Sequence, residues 1–375
     1  MNILILGTLE GGVGSHIRNL EHILVEHNYN PHVIALSHDH EVMDEERYTL
    51  INAKDHLLLD LFHLGEAAYN YILNYPVDLV HAHFITPPGY CAMQLNQYMG
   101  IPYVITLHGD DIHYWCKPFS FREQSATILS SSSKVITVSN SLANEVKETL
   151  NIDSKKLTVI SNIVDMVDFN PNIKGSTIRD KYKICDPIIL YVGRLWPHKG
   201  LHILLLAFKK LLEEHVKAKL MIVGDGFIRN ELLNIARHLK IDDNIVFTGR
   251  VSRREIPLYM AACDVFTLPS IFEGQGMAAL EAMSCAKPVV ATTTGSLSEI
   301  VENDENGFLV KPYDVNGLSK ALKRLIENED LRKELGLKGR KNILDKFNSH
   351  DIAIKILITY TEALMTDYMV LHQSV

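Results

Sequence analysis

The stretch IILYVGRLWPHKGLHILLLAFKKLL, residues 188–212, decides the fold class. It begins with a short run of apolar residues, passes through a turn containing glycine and proline, and continues with apolar residues at helical spacing. A short continuous apolar run is typical of a parallel strand that is buried on both faces. The stretch therefore predicts a strand followed by a helix, which is the first part of a βαβ unit.

The same order recurs along the whole chain. In the first half, strands are predicted at NILILG (2–7), PHVIAL (31–36), DLVHAH (78–83), PYVITL (102–107) and KVITVS (134–139). In the second half, they are predicted at IILYVG (188–193), KLMIVG (219–224), NIVFTG (244–249), DVFTLP (264–269) and KPVVAT (287–292). Segments with helical spacing separate these runs, so the sequence predicts an α/β protein with two doubly wound domains.

The position of the domain boundary follows from a loss of periodicity. Residues 163–185 show neither strand nor helix spacing and collect Asn, Pro, Gly and charged residues. We therefore predict a first domain over residues 1–170 and a second over 171–347. The remaining segment, 348–375, contains an amphipathic helix that needs a core to lie against.

The composition, with 47% hydrophobic and 22% charged residues, is that of an ordinary globular protein. The net charge is −8, but residues 1–170 hold 9 Lys and Arg against 20 Asp and Glu, so the second half is slightly positive. An acidic first half argues against binding to nucleic acid. A phosphate ligand, if the protein binds one, is expected in the second half.

The cysteines and the apolar segments indicate the compartment. The five cysteines form no CxxC pair, which disfavours a disulfide framework and a zinc ribbon. We expect neither a signal peptide nor a membrane span. The sequence predicts a cytoplasmic protein with at most a peripheral contact at the membrane.

A glycine-rich segment, Gly11-Gly12-Val13-Gly14, is predicted to lie between the first strand and the first helix. Glycines there let a ligand approach backbone N–H groups at the helix N-terminus. A tight turn without a ligand explains the glycines equally well. The third glycine of GxGxxG is missing, so a nicotinamide cofactor is disfavoured.

Two cations flank the turn of the deciding stretch. Gly193-Arg194 follows the strand, and Lys199-Gly200 opens the helix. At the carboxyl edge of a parallel sheet, Arg and Lys can hold a diphosphate. Two solvated loop cations are the alternative interpretation.

Two glutamates stand eight residues apart in EGQGMAALE, residues 273–281. Glu273 is expected before a helix and Glu281 within it, with Gly274 and Gly276 keeping the turn open. Carboxylates suit the hydroxyl groups of a sugar or a ribose. The first N–H groups of this helix suit phosphate oxygens, namely those of Gly276, Met277 and Ala278.

Histidines at strand ends suggest a second kind of chemistry. His81, His83 and His108 could ligate zinc in a metal-dependent hydrolase, with Asp110, Asp111 and His113 nearby in sequence. No further cluster completes such a site, so we predict no metal. The aromatic loop His113–Phe121 is either a buried anchor or an acceptor platform.

Taken together, these motifs resemble glycosyltransferase family 4. The segments GGVGSH, DLVHAH, TLHGDD, YVGRLWPHKG, IVGDG, EGQGMAALEAM and ENGFLV occur in the order seen in that family, from Asn2 to about Phe347. The resemblance implies the GT-B fold, two Rossmann-like domains facing an interdomain cleft, with the last helix crossing back to the first domain. It also implies transfer of a sugar from a nucleotide diphosphate donor to an acceptor hydroxyl with retention of anomeric configuration.

The resemblance assigns roles by position. The catalytic residues it implies are His108 at the donor sugar, Arg194 and Lys199 at the diphosphate, and Glu273 at the sugar hydroxyls. The substrate- and nucleotide-binding residues it implies are Gly12, Val13, Gly14, Gly193, Val251, Gly274, Gly276, Met277, Ala278 and Glu281. Glu281 is expected on the ribose and Val251 on the base. No cofactor or essential metal is implied.

Donor and acceptor stay open within this prediction. UDP- or GDP-linked hexoses are the favoured donors, and Gln275 stands where the family often has Phe, in a loop near the transferred sugar. The acceptor is a saccharide, a lipid-linked saccharide or a small polyol, expected near residues 83–90 and the aromatic loop. The alternatives are the metal-dependent hydrolase and a non-catalytic nucleotide or glycan binder.

Overall fold

The computed structural model describes residues 1–38, 46–54, 56–116 and 119–373. The chain forms two units, Met1–Ile163 with Ser349–Val375 and Val164–Asn348. The boundary between the first and second units thus follows Ile163, seven residues before the predicted one. Val164 and Phe169 are already buried in the core of the second unit.

The first unit is built on one parallel sheet. Its strands are β1 (Asn2–Thr8), β2 (Asn30–Ser37), β3 (Tyr48–Asn52), β4 (Leu79–His83), β5 (Tyr103–Leu107), β6 (Lys134–Thr137) and β7 (Leu157–Val159). Its helices are α1 (Gly11–Glu26), α2 (Leu57–Asn74), α3 (Tyr90–Met99), α4 (Phe119–Ser131) and α5 (Asn140–Leu150). In the described residues, the strand order is β3-β2-β1-β4-β5-β6-β7.

Alternation along the strands gives this sheet two cores. Leu4 and Leu6 of β1 belong to the core on one face, and Ile3 and Ile5 belong to the core on the other. Successive side chains of a strand point to opposite faces, so a strand buried on both sides must be apolar throughout. This explains why NILILG lacks the polar alternation of a half-exposed strand.

The second unit repeats the architecture. Its strands are β8 (Ile188–Val192), β9 (Lys219–Val223), β10 (Ile245–Gly249), β11 (Val265–Leu268), β12 (Val289–Thr292) and β13 (Gly307–Val310). Its helices are α6 (Ser176–Tyr182), α7 (Leu201–Glu213), α8 (Arg229–His238), α9 (Ile256–Ala262), α10 (Met277–Ser284), α11 (Leu297–Ile300), α12 (Val315–Glu327) and α13 (Glu329–Lys346). Over the described residues, its parallel sheet has the order β10-β9-β8-β11-β12-β13.

The predicted strands are confirmed to within two residues at their ends. The structure adds β3, β7 and β13, which were not predicted. β3 and β7 lie at the two edges of the first sheet, and β13 lies at an edge of the second. β3 and β7 are only partly buried, so their sequences carry a weaker apolar signal, whereas the short strand β13 is mostly buried.

The last helix, α14 (Ser349–Gln373), belongs to the first unit. Ile352, Ile356 and Tyr360 are buried in the core that contains Ile3 and Ile5 of β1. This is the packing surface that its amphipathic sequence requires. Among the helices of the described residues, none has the length and apolar composition to span a membrane.

A buried hydrogen bond fastens α14 to the sheet. The Tyr360 hydroxyl lies 2.7 Å from Nδ1 of His81 in β4, and the other ring nitrogen of His81 lies 2.7 Å from the Thr106 hydroxyl in β5. Both Tyr360 and His81 are fully buried. Neither polar group therefore has water as an alternative partner.

We predict that Tyr360→Phe destabilises the first unit by about 1–3 kcal/mol, because a buried ring nitrogen of His81 loses its partner while the packing is kept. Hydrogen exchange resolved by mass spectrometry should show faster exchange in α14 and β4. Tyr98→Phe is the matched control, since Tyr98 is 77% exposed. Unchanged protection of α14 in Tyr360→Phe would contradict this account.

Candidate functional site

The strand order of the second unit creates a switch point between β8 and β11. The chain leaves β8 towards β9 on one side and later returns to place β11 on the other side. In open α/β sheets, ligands bind outside the carboxyl ends of the strands at such a point. Lys199 lies in the loop that follows β8, and Glu273 lies in the loop that follows β11.

Lys199 and Glu273 form an ion pair at this switch point. Lys199 Nζ lies 2.8 Å from Glu273 Oε2, and their side chains are only 13% and 12% exposed. The Ser270 hydroxyl donates to the same carboxylate oxygen over 3.0 Å. The structure thus brings together two residues, 74 positions apart, that the sequence assigned to one site.

The backbone around the pair admits little variation. Gly200 has a φ of +69°, and a Cβ atom there would overlap the carbonyl oxygen of Pro269. The Ile271 N–H donates to the His198 carbonyl over 2.7 Å. The loops after β8 and β11 are therefore joined by backbone contacts as well as by the ion pair.

Arg194 lies on the same loop as Lys199 but is exposed to solvent. Its guanidinium carbon lies 5.3 Å from the centroid of the Trp196 ring, and its carbonyl accepts a hydrogen bond from the Tyr191 hydroxyl over 2.9 Å. Burial raises the pKa of Tyr191 well above its ordinary value, the charge of Glu273 raises it further, and Arg194 opposes both. Tyr191 therefore stays protonated and keeps its O–H as a donor to the Arg194 backbone.

The second glutamate lies in a different environment. Glu273 precedes α10 and Glu281 lies within it, as predicted. Glu281 pairs with Arg253, with Nη1 2.6 Å from Oε1, and its side chain is only 4% exposed. Sequence reasoning missed Arg253 and Ser270. Ser270 has a weak signal, because it stands three residues before Glu273 and directly after a strand.

Two buried glycines stand just before the start of α10, and the role of its first N–H groups at a phosphate stays a prediction. Gly274 and Gly276 are buried, and Gly276 has a φ of +78° immediately before the helix begins at Met277. The first N–H groups of a helix have no partners within the helix. Val251, predicted to meet the base, is half-buried against the core of this unit.

The glycine-rich segment of the first unit needs a correction. Gly12, Val13 and Gly14 do not form a loop before the first helix, because α1 already begins at Gly11. A Cβ atom at Gly14 would overlap the Leu9 backbone, including its carbonyl oxygen. Close packing of the first helical turn against the end of β1 thus accounts for Gly14. Its role in ligand binding stays a prediction.

Four histidines meet in the interior of the first unit. The ring centroids of His16, His83 and His108 lie 5.3–5.6 Å apart, and those of His81 and His83 lie 4.4 Å apart. His83 Nδ1 lies 3.1 Å from His108 Nε2, so one ring donates to the other. His108, predicted at the reaction centre, is therefore held by His83 as well as by its backbone.

These histidines do not form a metal site. Both ring nitrogens of His81 are bonded to hydroxyl groups, and His16 Nδ1 accepts from the Ile163 N–H over 3.2 Å. Over residues 1–38, 46–54, 56–116 and 119–373, no group of three or more His, Cys, Asp or Glu residues is arranged to hold a metal ion.

Asp111 is a buried link between two loops of this unit. Its carboxylate accepts the N–H groups of Ile85, after β4, at 3.0 Å and of His108, after β5, at 2.8 Å. Burial raises the pKa of Asp111 to about 7, although these hydrogen bonds favour the charged form. The carboxylate thus sets the backbone position of His108.

The aromatic loop is only partly described. Cys116 is buried, whereas Lys117 and Pro118 lie outside the described residues. The role of residues 113–121 as an acceptor platform stays a prediction.

The histidine cluster predicts a pH dependence of stability. Burial lowers the pKa of His16 and His81 to about 3 and lowers those of His83 and His108 well below 6.5. Below pH 6.5, the unfolded chain therefore binds protons that the folded chain does not, so the free energy of unfolding falls as the pH falls. Each histidine contributes a slope that approaches about 1.4 kcal/mol per pH unit.

Asp111 has the opposite effect on the free energy of unfolding below pH 7, because the folded chain binds its proton more readily than the unfolded chain does. It is one group against four histidines. We expect the free energy of unfolding of the first unit, measured with urea, to fall between pH 7 and pH 5.5. In His16→Asn it should fall less steeply with pH. A flat profile over this range would show that the four rings can be protonated within the fold.

Comparison with known proteins covers both units. Residues 10–167 match the family model described as Glycosyltransferase Family 4, and residues 176–342 match the one described as Glycosyl transferases group 1. An uncharacterized glycosyltransferase of Methanocaldococcus jannaschii is 29% identical over 94% of this chain and 95% of its own length. N-acetyl-alpha-D-glucosaminyl L-malate synthase of Bacillus anthracis is 28% identical over 78% of this chain and 76% of its own.

The solved structures support the fold. Anabaena HepE in complex with UDP-glucose matches with a TM-score of 0.82 at 21% identity, over 96% of this chain and 99% of that one. The fold is therefore GT-B, with two Rossmann-like parallel-sheet domains, as the sequence predicted. Because both halves match models of one enzyme group, this protein belongs to glycosyltransferase family 4 and is a glycosyltransferase.

Proposed function

We propose that the protein transfers a hexosyl-type sugar from a nucleotide diphosphate donor, with UDP favoured over GDP, to an acceptor hydroxyl and retains the anomeric configuration. The observation that carries this proposal is the Lys199–Glu273 ion pair at the switch point of the second unit. A pair of this kind offers a cation to a phosphate and a carboxylate to sugar hydroxyls within one small region.

The chemistry of Lys199 suits a diphosphate leaving group. Its ammonium group has three N–H donors, and Glu273 and a phosphate oxygen can share them. When the bond between the anomeric carbon and the diphosphate breaks, the electron pair leaves with the diphosphate. Lys199 and Arg194 would then stabilise the charge that develops, without a metal ion.

Glu273 is proposed to accept hydrogen bonds from the donor sugar, and Glu281 from the ribose. The acceptor oxygen would form its bond on the face that the diphosphate leaves, and the leaving diphosphate would take the acceptor proton. The Ser270 hydroxyl beside this pair is already bonded to Glu273. A same-face displacement agrees with this arrangement.

The relatives support a UDP-linked donor and leave several acceptors open. HepE is seen with UDP-glucose, and the Bacillus anthracis enzyme is named for an N-acetylglucosaminyl product of malate. A UDP-hexose or UDP-N-acetylhexosamine is therefore the first donor to test. Small hydroxy acids or polyols, saccharides and lipid-linked saccharides are the acceptor classes to offer.

We predict that the wild-type protein binds UDP in the presence of EDTA and that Lys199→Met weakens binding about tenfold or more, because a charge-assisted hydrogen bond to the diphosphate is lost. Isothermal titration calorimetry measures this directly. Lys217→Met is the matched control, since Lys217 is exposed and precedes β9, at the amino ends of the strands and away from the proposed site.

Full affinity in Lys199→Met would overturn the diphosphate assignment. If the wild type binds none of UDP, GDP and ADP, the donor half of the proposal fails. Binding without turnover on any acceptor class would instead favour a non-catalytic nucleotide binder.

The stereochemistry needs a separate measurement. We expect the product formed from an α-linked donor to carry an α-glycosidic bond, because attack and departure occur on one face. The anomeric coupling constant in the proton NMR spectrum distinguishes the two products. A β-linked product would contradict retention.

A further inference from the structure

In the Arg253–Glu281 ion pair, the arginine contacts only one of the two carboxylate oxygens. Arg253 approaches only Oε1 of Glu281, at 2.6 Å, and the described residues provide no hydrogen bond to Oε2. Glu281 is 4% exposed, whereas Arg253 is 32% exposed. Burying a charge without a partner is costly, and Arg253 is the counter-charge that Glu281 contacts here.

Arg253 is itself held in place from two sides. It begins the 3₁₀ turn Arg253–Glu255, which is closed by reciprocal hydrogen bonds between Ser252 and Glu255. Its guanidinium carbon also lies 4.8 Å from the centroid of the Phe169 ring. The cation therefore reaches Glu281 from a fixed position rather than from a mobile surface loop.

The pair connects the turn after β10 with helix α10 in the proposed nucleotide site. Arg253 follows β10 and comes two residues after Val251, the predicted neighbour of the base. Glu281 lies on α10, which follows β11. Since β10 and β11 are parallel strands of one sheet, the loops after their carboxyl ends lie at the same edge.

We infer that Arg253 is a positioning residue for nucleotide recognition: it binds Oε1 of Glu281 and leaves Oε2 to accept hydrogen bonds from the ribose hydroxyls. This inference rests on the proposed function, in which Glu281 meets the ribose. Arg253 acts through Glu281 and need not touch the nucleotide. Removing Arg253 should therefore weaken recognition of the ribose and leave recognition of the diphosphate intact.

The experiment compares UDP with 2′,3′-dideoxy-UDP by isothermal titration calorimetry. The wild type should prefer UDP by about tenfold or more, because hydrogen bonds from the two hydroxyls to a charged carboxylate are lost with the dideoxy ligand. In Arg253→Met this ratio should fall towards one, and Arg253→Lys should restore part of it. Arg254→Met is the matched control, because it removes the same charge from the neighbouring, exposed position.

Two further variants separate positioning from other roles. Lys199→Met should weaken both ligands equally and leave their ratio unchanged. Glu281→Gln should lower the ratio, and adding Arg253→Met to Glu281→Gln should lower it little further, because the two residues act on one interaction.

The outcomes distinguish this inference from the proposed function. A wild-type protein that binds none of the three nucleoside diphosphates overturns both. A wild type that binds UDP, with an unchanged ratio in Arg253→Met, overturns the inference alone. Equal weakening of both ligands in Arg253→Met also overturns it, because that pattern assigns Arg253 to the diphosphate or to stability. The melting temperatures of Arg253→Lys and Arg253→Met show whether either variant has lost its fold.

Discussion

The ion pair between Lys199 and Glu273 joins the two loops at the switch point of the second unit. Both side chains are mostly buried, and a charge taken out of water without a partner costs several kcal/mol. Each residue therefore depends on the other, and the loops that carry them must keep one arrangement. Gly200 can adopt the required left-handed backbone and also leaves room for the Pro269 carbonyl. The two loops at the switch point are thus fixed before any ligand arrives.

In the first unit, buried histidines and Asp111 hold the loops at the carboxyl ends of β4 and β5. Its buried histidines stay uncharged because burial lowers their pKa values, and Asp111 ties the loops after β4 and β5 through backbone N–H groups. A cluster of neutral rings can donate and accept hydrogen bonds but cannot neutralise a diphosphate. The charges suited to a nucleotide lie in the second unit, which is also the half with the positive balance in the sequence.

The sequence predicts those features that depend on residues close together in the chain. Buried strands such as β8 are visible as apolar runs, and Lys199 and Glu273 follow such runs directly. The start of α1 was misplaced because glycines usually mark a loop, whereas Gly14 is required here by contact with the Leu9 backbone. Arg253 was missed because its partner lies 28 residues away on an element that follows a non-neighbouring strand. No local pattern carries such a contact.

Glu273 and Glu281, which stand eight residues apart, show why spacing alone does not define a chemical role. Glu273 is paired with a lysine, whose ammonium group is a point charge with three donors and can turn towards a phosphate without leaving its partner. Glu281 is paired with an arginine, whose planar guanidinium lies over the Phe169 ring. In the proposed function, the adaptable partner suits the end of the donor where charge develops during the reaction. The rigid partner suits the ribose, which must be recognised and does not change, so the proposal separates the two carboxylates by the cation that each one meets.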